Sequence, residues 1–297
     1  MIILLEGPDK AGKTTLAQNL MTSLVDTGKN VRLLRRGPIQ NDVFTEYLRP
    51  LDDLIGKSAD TIYILDRWHV GELIYGPLLR DESQLTLAQA AYLEMVLQSF
   101  GCYFMHYSQR VDRLEQRWDE RPDSLIKREW LAIIHSKYYG YTARKIHWTT
   151  LIGNWDTYTF DVKYPSPLPG RYIGPIRPVV LLLGDRRNRS DYVWPFVPGR
   201  QTSGHWLMNA LMAANINHMQ VGVVNASELS TENLETLWYT LGRPPVVTLG
   251  KQAERAWGMT GLPDPTKLHH PQYMRRFHFT QTQEYGQRIK EIMTNDV

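Results

Sequence analysis

Apolar residues come in short blocks along the first half of the chain, separated by stretches of helical spacing. The first block, residues 2–6, ends at a glycine and is followed by a helical pattern over about 13–26. Further blocks lie at 31–34, 61–65 and 102–107; the block at 61–65 runs into Asp66-Arg67, and a helix-like stretch over 87–100 precedes the last. Strands that alternate with helices of roughly ten residues or more are βαβ units around a parallel sheet, so the predicted fold class is α/β. Prolines at 165, 167, 169, 175 and 178, with Gly170 and Gly174, then prevent regular structure. A second α/β series follows, with strands at 179–183, 220–225 and 246–249 and a helix around 205–214. The expected organisation is a first domain over 1–164, a linker over 165–178 and a second domain over 179–297, with no internal repeat.

Composition narrows the class. With 42% hydrophobic and 22% charged residues among 297, the chain has the balance of a globular protein rather than a disordered one. No apolar run is long enough to span a bilayer, so no membrane partner is expected. The N-terminal block lacks a basic region and a small-residue cleavage site, which marks it as a strand rather than a signal peptide. Cys102 is the single cysteine, which excludes an internal disulfide and a cysteine-ligated zinc or iron–sulfur site, and points to a cytoplasmic protein. A net charge of +3 is too small to imply nucleic-acid binding by itself.

The strongest chemical signal follows the first block. Gly7-Pro8-Asp9-Lys10-Ala11-Gly12-Lys13-Thr14 satisfies the P-loop pattern and stands between a predicted strand and a predicted helix. Successive backbone N–H groups there cradle phosphate oxygens, and the helix N-terminus adds a favourable dipole. Gly7 and Gly12 permit the tight turn; Lys13 reaches the β- and γ-phosphates, and the Thr14 hydroxyl ligates Mg2+. The ATP-binding set is Gly7, Asp9, Lys10, Ala11, Gly12, Lys13, Thr14 and Thr15. Asp66-Arg67-Trp68 lies at the end of the third strand, the sheet edge where α/β proteins bind ligands, and an arginine fork there suits a phosphate. Arg113, Arg117, Arg121 and Arg128 follow the fourth strand, with Arg113 and Arg117 on one helix face. Interleaved acidic residues leave a salt-bridged surface helix as the alternative for any of these arginines. Tyr138, Tyr139 and Tyr141 either line a base pocket or belong to the core, and His69 is read as a packed histidine as readily as a ligand.

The stretch Glu6–Thr15 resembles the opening of thymidylate kinases and their phage relatives, with Lys10 in place of the usual second glycine. That resemblance implies that Asp9 contacts the acceptor nucleotide. Asp66-Arg67 resembles the family's Asp-Arg pair, which implies that Arg67 holds the acceptor phosphate and that Asp66, with Thr14, lies at the metal. The stretch 66–77 looks particularly like phage-encoded members, and Glu72 and Tyr75 are candidates for the acceptor base. Residues 117–123 resemble the lid of nucleotide monophosphate kinases, which makes Arg117 and Arg121 the lid pair. The implied catalytic set is Lys13, Asp66, Arg67, Arg117 and Arg121, with ATP and Mg2+ as cofactors.

In the second half, residues 183–188, 194–197 and 203–207, then Val223-Val224-Asn225, 246–253 and His270-Pro271-Gln272-Tyr273 resemble, in order and spacing, the uracil-DNA glycosylase superfamily. The resemblance implies a pocket of Asp185, Asn188, Asn225 and His270, with Arg186, Arg187, Arg275 and Arg276 for phosphates. Arginines and Asn188 occupy a loop where the family carries proline-glycine or a catalytic acid, and the cluster cysteines of some members are absent. A domain that keeps the fold without the chemistry is therefore also open.

The function expected from these residues is ATP-dependent phosphoryl transfer to a pyrimidine deoxynucleoside monophosphate. One alternative is a kinase that phosphorylates a hydroxymethyl pyrimidine base within DNA, the second domain reading the base. Another is a glycosylase or DNA-binding protein with a nucleotide-controlled P-loop domain. The expected partners are a nucleotide substrate, DNA through the second domain, and a second copy of the chain as in the dimers of the first family.

Overall fold

An unbroken apolar run makes a strand that must be covered on both faces, and β1 (Ile2–Glu6) has all five side chains buried. It leads through α1 (Lys13–Asp26), β2 (Asn30–Arg35) and α2 (Val43–Asp52) to β3 (Thr61–Asp66), α3 (His69–Arg80) and α4 (Leu87–Ser99). Then follow β4 (Cys102–Ser108), α5 (Val111–Glu120), α6 (Trp130–Thr142) and β5 (Trp148–Ile152). The second series is β6 (Val180–Gly184), α7 (Ser203–Ala213), β7 (Val221–Asn225), α8 (Thr231–Thr240), β8 (Val246–Leu249) and α9 (Lys251–Gly258). It closes with β9 (Thr266–Leu268), α10 (Pro271–Phe277) and α11 (Thr282–Asn295). This computed structural model describes residues 1–37, 39, 42–54, 61–122, 125–143, 145, 147–152, 171–185, 194–199 and 202–295.

The chain forms two compact units, one of residues 1–86 and 100–164, the other of residues 87–99 and 165–297. In the first unit a parallel sheet has the order β2-β3-β1-β4-β5. Leu16, Ala17 and Leu20 of α1 pack with Ile3, Leu5, Ile62, Ile64 and Met105 of the sheet. Each leucine so buried stabilises the unit by roughly 2 kcal/mol. The order places β1 between strands reached in opposite directions along the chain, so the carboxyl end of β1 opens at a switch point, where ligands of α/β sheets bind.

The second unit has a parallel sheet ordered β7-β6-β8-β9, with β6 at its switch point. Although α4 precedes β4 in the chain, it belongs to this unit and packs with α7. It is apolar nearly all round, with every residue from Ala90 to Leu97 buried, as a helix enclosed on all sides requires. Its one buried charge, Glu94, is paired with His218 Nε2 at 2.9 Å. The end of the proline-rich stretch is irregular but attached: Ile173 bridges to Val223, and the Tyr172 hydroxyl donates to the Pro175 carbonyl at 2.5 Å. No helix among the described residues is long and apolar enough to cross a membrane.

Sequence and structure differ at several edges. The helix expected at 205–214 begins at Ser203 because Thr202 Oγ1 accepts the His205 N–H at 3.2 Å. The residues ahead of β7 form a short tight turn over 218–220, so that strand starts at Val221.

Candidate active site

The loop from Gly7 to Gly12 leaves β1 and enters α1 with no side-chain cap on the helix. First-turn N–H groups have no intrahelical acceptor, so this uncapped end offers donors to an anion. Gly7 is indispensable for space: a Cβ there would stand 2.0 Å from the Tyr107 carbonyl oxygen. Lys10, which replaces a glycine of the resembling family, takes the left-handed conformation at φ 65°, a strain of about 1 kcal/mol for a residue with a side chain.

Lys13 is buried, and its Nζ donates to the carbonyls of Gly7 and Pro8 at 2.7 Å each, with Asp9 Oδ1 at 4.0 Å. Burial lowers its pKa to about 8, against the opposing pull of Asp9. The Asp9 N–H donates to Tyr75 Oη at 2.9 Å, and Arg67 Nη2 approaches the Asp9 carboxylate at 2.5 Å. Thr14 Oγ1 donates to Asp66 Oδ2 at 2.9 Å. Arg35, at the end of the neighbouring strand, stands 3.5 Å from the same oxygen. Asp66 Oδ1 is buried without a hydrogen-bond partner among the described residues. An orphaned carboxylate oxygen beside a hydroxyl suits a hard divalent cation, whose remaining ligands are phosphate oxygens and water, as is usual for Mg2+. Among the described residues no group of three His, Cys, Asp or Glu side chains could hold a metal unaided.

From α5, Arg117 Nη1 donates to the carbonyls of Lys10 and Ala11, both at 2.9 Å, so this guanidinium lies on the loop. Arg121 meets the loop through its backbone: its carbonyl accepts from Lys10 Nζ at 2.6 Å. Arg113 bonds Gln116, while Arg128 is engaged by Glu115 and Asp119. The salt-bridged alternative thus describes Arg128 and not Arg117.

Arg67 has φ 70°, a second left-handed position at the end of a buried strand. Such backbone persists only where its surroundings fix it. The fixing group is Glu6, which the motif contained but no role identified. Fully buried at the end of β1, its Oε1 accepts the N–H groups of Trp68 at 2.8 Å and Val70 at 3.1 Å, and its Oε2 accepts the Tyr138 hydroxyl at 3.4 Å. One carboxylate therefore ties the strand before the loop to the turn that carries Arg67. Burial raises the Glu6 pKa, with His69 and the Trp68 N–H as the chief opposing influences. Glu6→Leu leaves two buried N–H donors without an acceptor, so its unfolding free energy should drop by about 2–5 kcal/mol. Glu6→Gln, which keeps an acceptor, should lose less than half as much; equal losses in urea titration would contradict this placement.

Beneath Glu6, Tyr138 stacks on His106 with centroids 5.8 Å apart and planes at 13°. Thr142 Oγ1 donates to the Tyr138 carbonyl at 2.9 Å and lies 3.0 Å from His106 Nδ1, which assigns the ring proton to Nδ1. Burial, with His135 and Lys13 adding smaller effects, lowers the His106 pKa from 6.5 to about 4. The unfolded chain therefore takes up this proton first as pH falls. The stability held by neutral His106 is complete above about pH 6.5 and is lost towards pH 4. Between about pH 7.5 and about pH 5 the loss should be about 2 kcal/mol in urea unfolding, and His106→Phe should remove that part of the pH dependence.

Glu72 is placed away from the loop. Its Oε1 accepts from Arg80 Nη2 at 2.5 Å and from the Gln84 N–H at 2.9 Å, so it braces the end of α3. Tyr75 and Tyr138 make an edge-on pair at 6.2 Å beside Asp9 and Glu6, whereas Tyr139 is exposed.

In the second unit, Asn225 ends β7 and is buried, and the Phe196 ring crowds Gly184 at the end of β6. A Cβ on Gly184 would meet that ring at 2.3 Å and Asn225 Oδ1 at 2.8 Å. His270 lies 5.7 Å from Phe196 between ring centroids, and its Nδ1 accepts the Gln272 N–H at 3.1 Å. Burial lowers the His270 pKa, opposed by Asp185. Asp185 Oδ1 accepts the Ala253 N–H at 2.8 Å and so caps α9. The structure thus brings Asp185, Asn225 and His270 to one sheet edge and adds Phe196; Asn188, Arg186 and Arg187 lie outside the described residues.

No protein-family model and no curated protein matches the chain. Among solved structures it is similar to the YorR protein of Bacillus subtilis in complex with phosphorylated GDP, at 19% identity over 54% of this chain and 88% of that one, with a TM-score of 0.41. It is also similar to deoxyadenosine kinase from M. mycoides with bound dCTP (16%, 53% and 94%, TM-score 0.31). Thymidylate kinase from Ehrlichia chaffeensis is a third (16%, 54% and 91%, TM-score 0.35). The chemistry of the site rests on its own residues.

Proposed function

We propose that the first unit is an ATP- and Mg2+-dependent phosphotransferase whose acceptor is a pyrimidine deoxynucleoside monophosphate. The observation that carries the reading is the position of Asp9, which has the P-loop ammonium of Lys13 on one side and the Arg67 guanidinium on the other. Donor and acceptor cations thereby share one carboxylate. Lys13 exchanges the carbonyls of Gly7 and Pro8 for phosphate oxygens of the donor, and Arg67 holds the acceptor phosphate with its planar fork. Arg117, already on the loop, adds positive charge where the transferring group becomes anionic. Thr14 and Asp66 would hold Mg2+, which neutralises charge on the donor phosphates. The chain supplies position and electrostatics, and no covalent intermediate on the protein is needed. The test is chromatographic conversion of a panel of deoxynucleoside monophosphates to diphosphates. Pyrimidine monophosphates should be consumed with ATP, and no conversion of any member would overturn the acceptor assignment.

A second reading places the acceptor hydroxyl on a hydroxymethyl pyrimidine within DNA. It is favoured by Asn225, Phe196 and His270 at the second sheet edge, an amide and two flat rings suited to a pyrimidine. Transfer to a hydroxymethyluracil oligonucleotide, with none to free nucleotides, would select this reading over the first.

A further inference from the structure

Between Asp264 and Glu284 the chain has no acidic residue, yet it carries Lys267, Arg275, Arg276 and the histidines 269, 270 and 278. These residues build β9, α10 and the turn into α11. Lys267 is paired with Glu254 at 2.6 Å and Arg275 buries its Nε, whereas Arg276 is exposed and among the described residues meets no carboxylate. Pro271 and Met274 anchor α10 on its inner side. Outside stand large rings that the core does not use: Phe277 is 67% exposed, Phe279 68% and Tyr273 42%. Tyr273 is the hub, with its centroid 4.9 Å from His269, 5.1 Å from Phe277 and 5.3 Å from His278.

Bare rings beside an uncompensated guanidinium select among partners. An apolar protein surface would cover the rings but would have to desolvate Arg276 without a counter-charge. A duplex offers phosphates but hides the faces of its bases. A single strand offers both, a flat face and a phosphate in every nucleotide, and stacking on aromatic side chains is its general mode of binding. We infer that Tyr273, Arg276, Phe277 and Phe279 form a docking ledge for single-stranded nucleic acid. The ledge meets the strand-end residues through His270, which caps α10 and neighbours Phe196. It stands apart from the nucleotide-kinase reading, and to the reading with DNA as acceptor it adds the surface that holds the strand.

The test is fluorescence anisotropy of the full-length chain with a labelled oligodeoxythymidylate of about twelve nucleotides, a length near one such platform's site size. Binding should saturate and weaken with salt, and the same sequence as a duplex should bind less tightly. Phe277→Ala/Phe279→Ala should weaken the strand at least about tenfold, from the loss of two stacking faces. Arg276→Gln should lower the salt slope by about 0.7, the share of one phosphate contact. Both variants alter exposed side chains, and unchanged circular dichroism and unfolding midpoints establish that they fold. Absence of saturable binding would overturn the ledge, as would an undiminished affinity in the phenylalanine double variant or equal affinity for the duplex. Loss of binding in Lys13→Ala instead would move the strand to the P-loop. Self-association abolished by the double variant would give the rings to a second copy. Phosphoryl transfer assayed on the same preparations is an independent reading, so either result can fail while the other stands.

Discussion

Lys13→Ala is expected to reduce kcat for phosphoryl transfer by at least about a thousandfold while the fold survives. Removal of one preorganised hydrogen-bond donor from a transition state costs about a hundred- to a thousandfold even when the donor is neutral, and Lys13 is a full charge in a buried site. Stability should change little. Its lowered pKa means that the folded state disfavours this ammonium, so removal of the charge offsets the loss of its bonds to Gly7 and Pro8. The sign follows from linkage: a lysine whose pKa falls on folding opposes stability below about pH 8, and the opposition fades as pH rises above that value. The check is a pair of measurements on one preparation, initial rate at saturating substrates and urea unfolding. Activity within tenfold of the wild type would remove Lys13 from the chemistry.

Arg67→Gly is expected to raise the acceptor KM about a hundredfold without loss of stability. A bidentate, charge-assisted contact to phosphate, made by a half-exposed guanidinium that the bound acceptor covers, contributes about 3 kcal/mol, which is that factor. At φ 70° a glycine relieves about 1 kcal/mol of backbone strain, so the variant should unfold at an equal or higher urea midpoint than the wild type. ATP affinity, measured by calorimetry, should stay within about threefold. Arg67→Lys should not restore the acceptor KM, because a single ammonium cannot reproduce the planar fork. A normal acceptor KM in Arg67→Gly would show that Arg67 serves the backbone turn and not the substrate. The trade of strain for position is common at functional sites, and here Glu6 maintains it by holding the N–H groups of Trp68 and Val70 just beyond the turn.

These residues were unequally legible in the sequence. The loop could be read because its chemistry is contiguous: a buried strand, two glycines and a lysine within eight positions, then a helix. The alternation of apolar blocks with helices likewise announced two parallel sheets. Arg117 was accessible through the resemblance of residues 117–123 to a lid, but the part played by Arg121 was not, because its carbonyl and not its side chain meets Lys10. Glu6 was hidden by distance, since its partners lie more than sixty residues onward and only the pairing of β1 with β3 brings them together. Glu72 looked available beside the Asp-Arg pair, yet Arg80, two turns further along the same helix, claims its carboxylate. Asp185 was read as a pocket acid; its oxygen caps a helix 68 positions away. The place of α4 was obscured for another reason. Its apolar residues have no single face, so periodicity marks a buried helix without saying which unit buries it.

The most direct measurement is transfer of labelled γ-phosphate from ATP, with wild type and Lys13→Ala compared in Mg2+ and in excess chelator. The account predicts label on a pyrimidine acceptor with the wild type in Mg2+, and none with the variant or in chelator. Equal labelling by Lys13→Ala, or no transfer by the wild type to any nucleotide or hydroxymethyl-pyrimidine oligonucleotide, would contradict it.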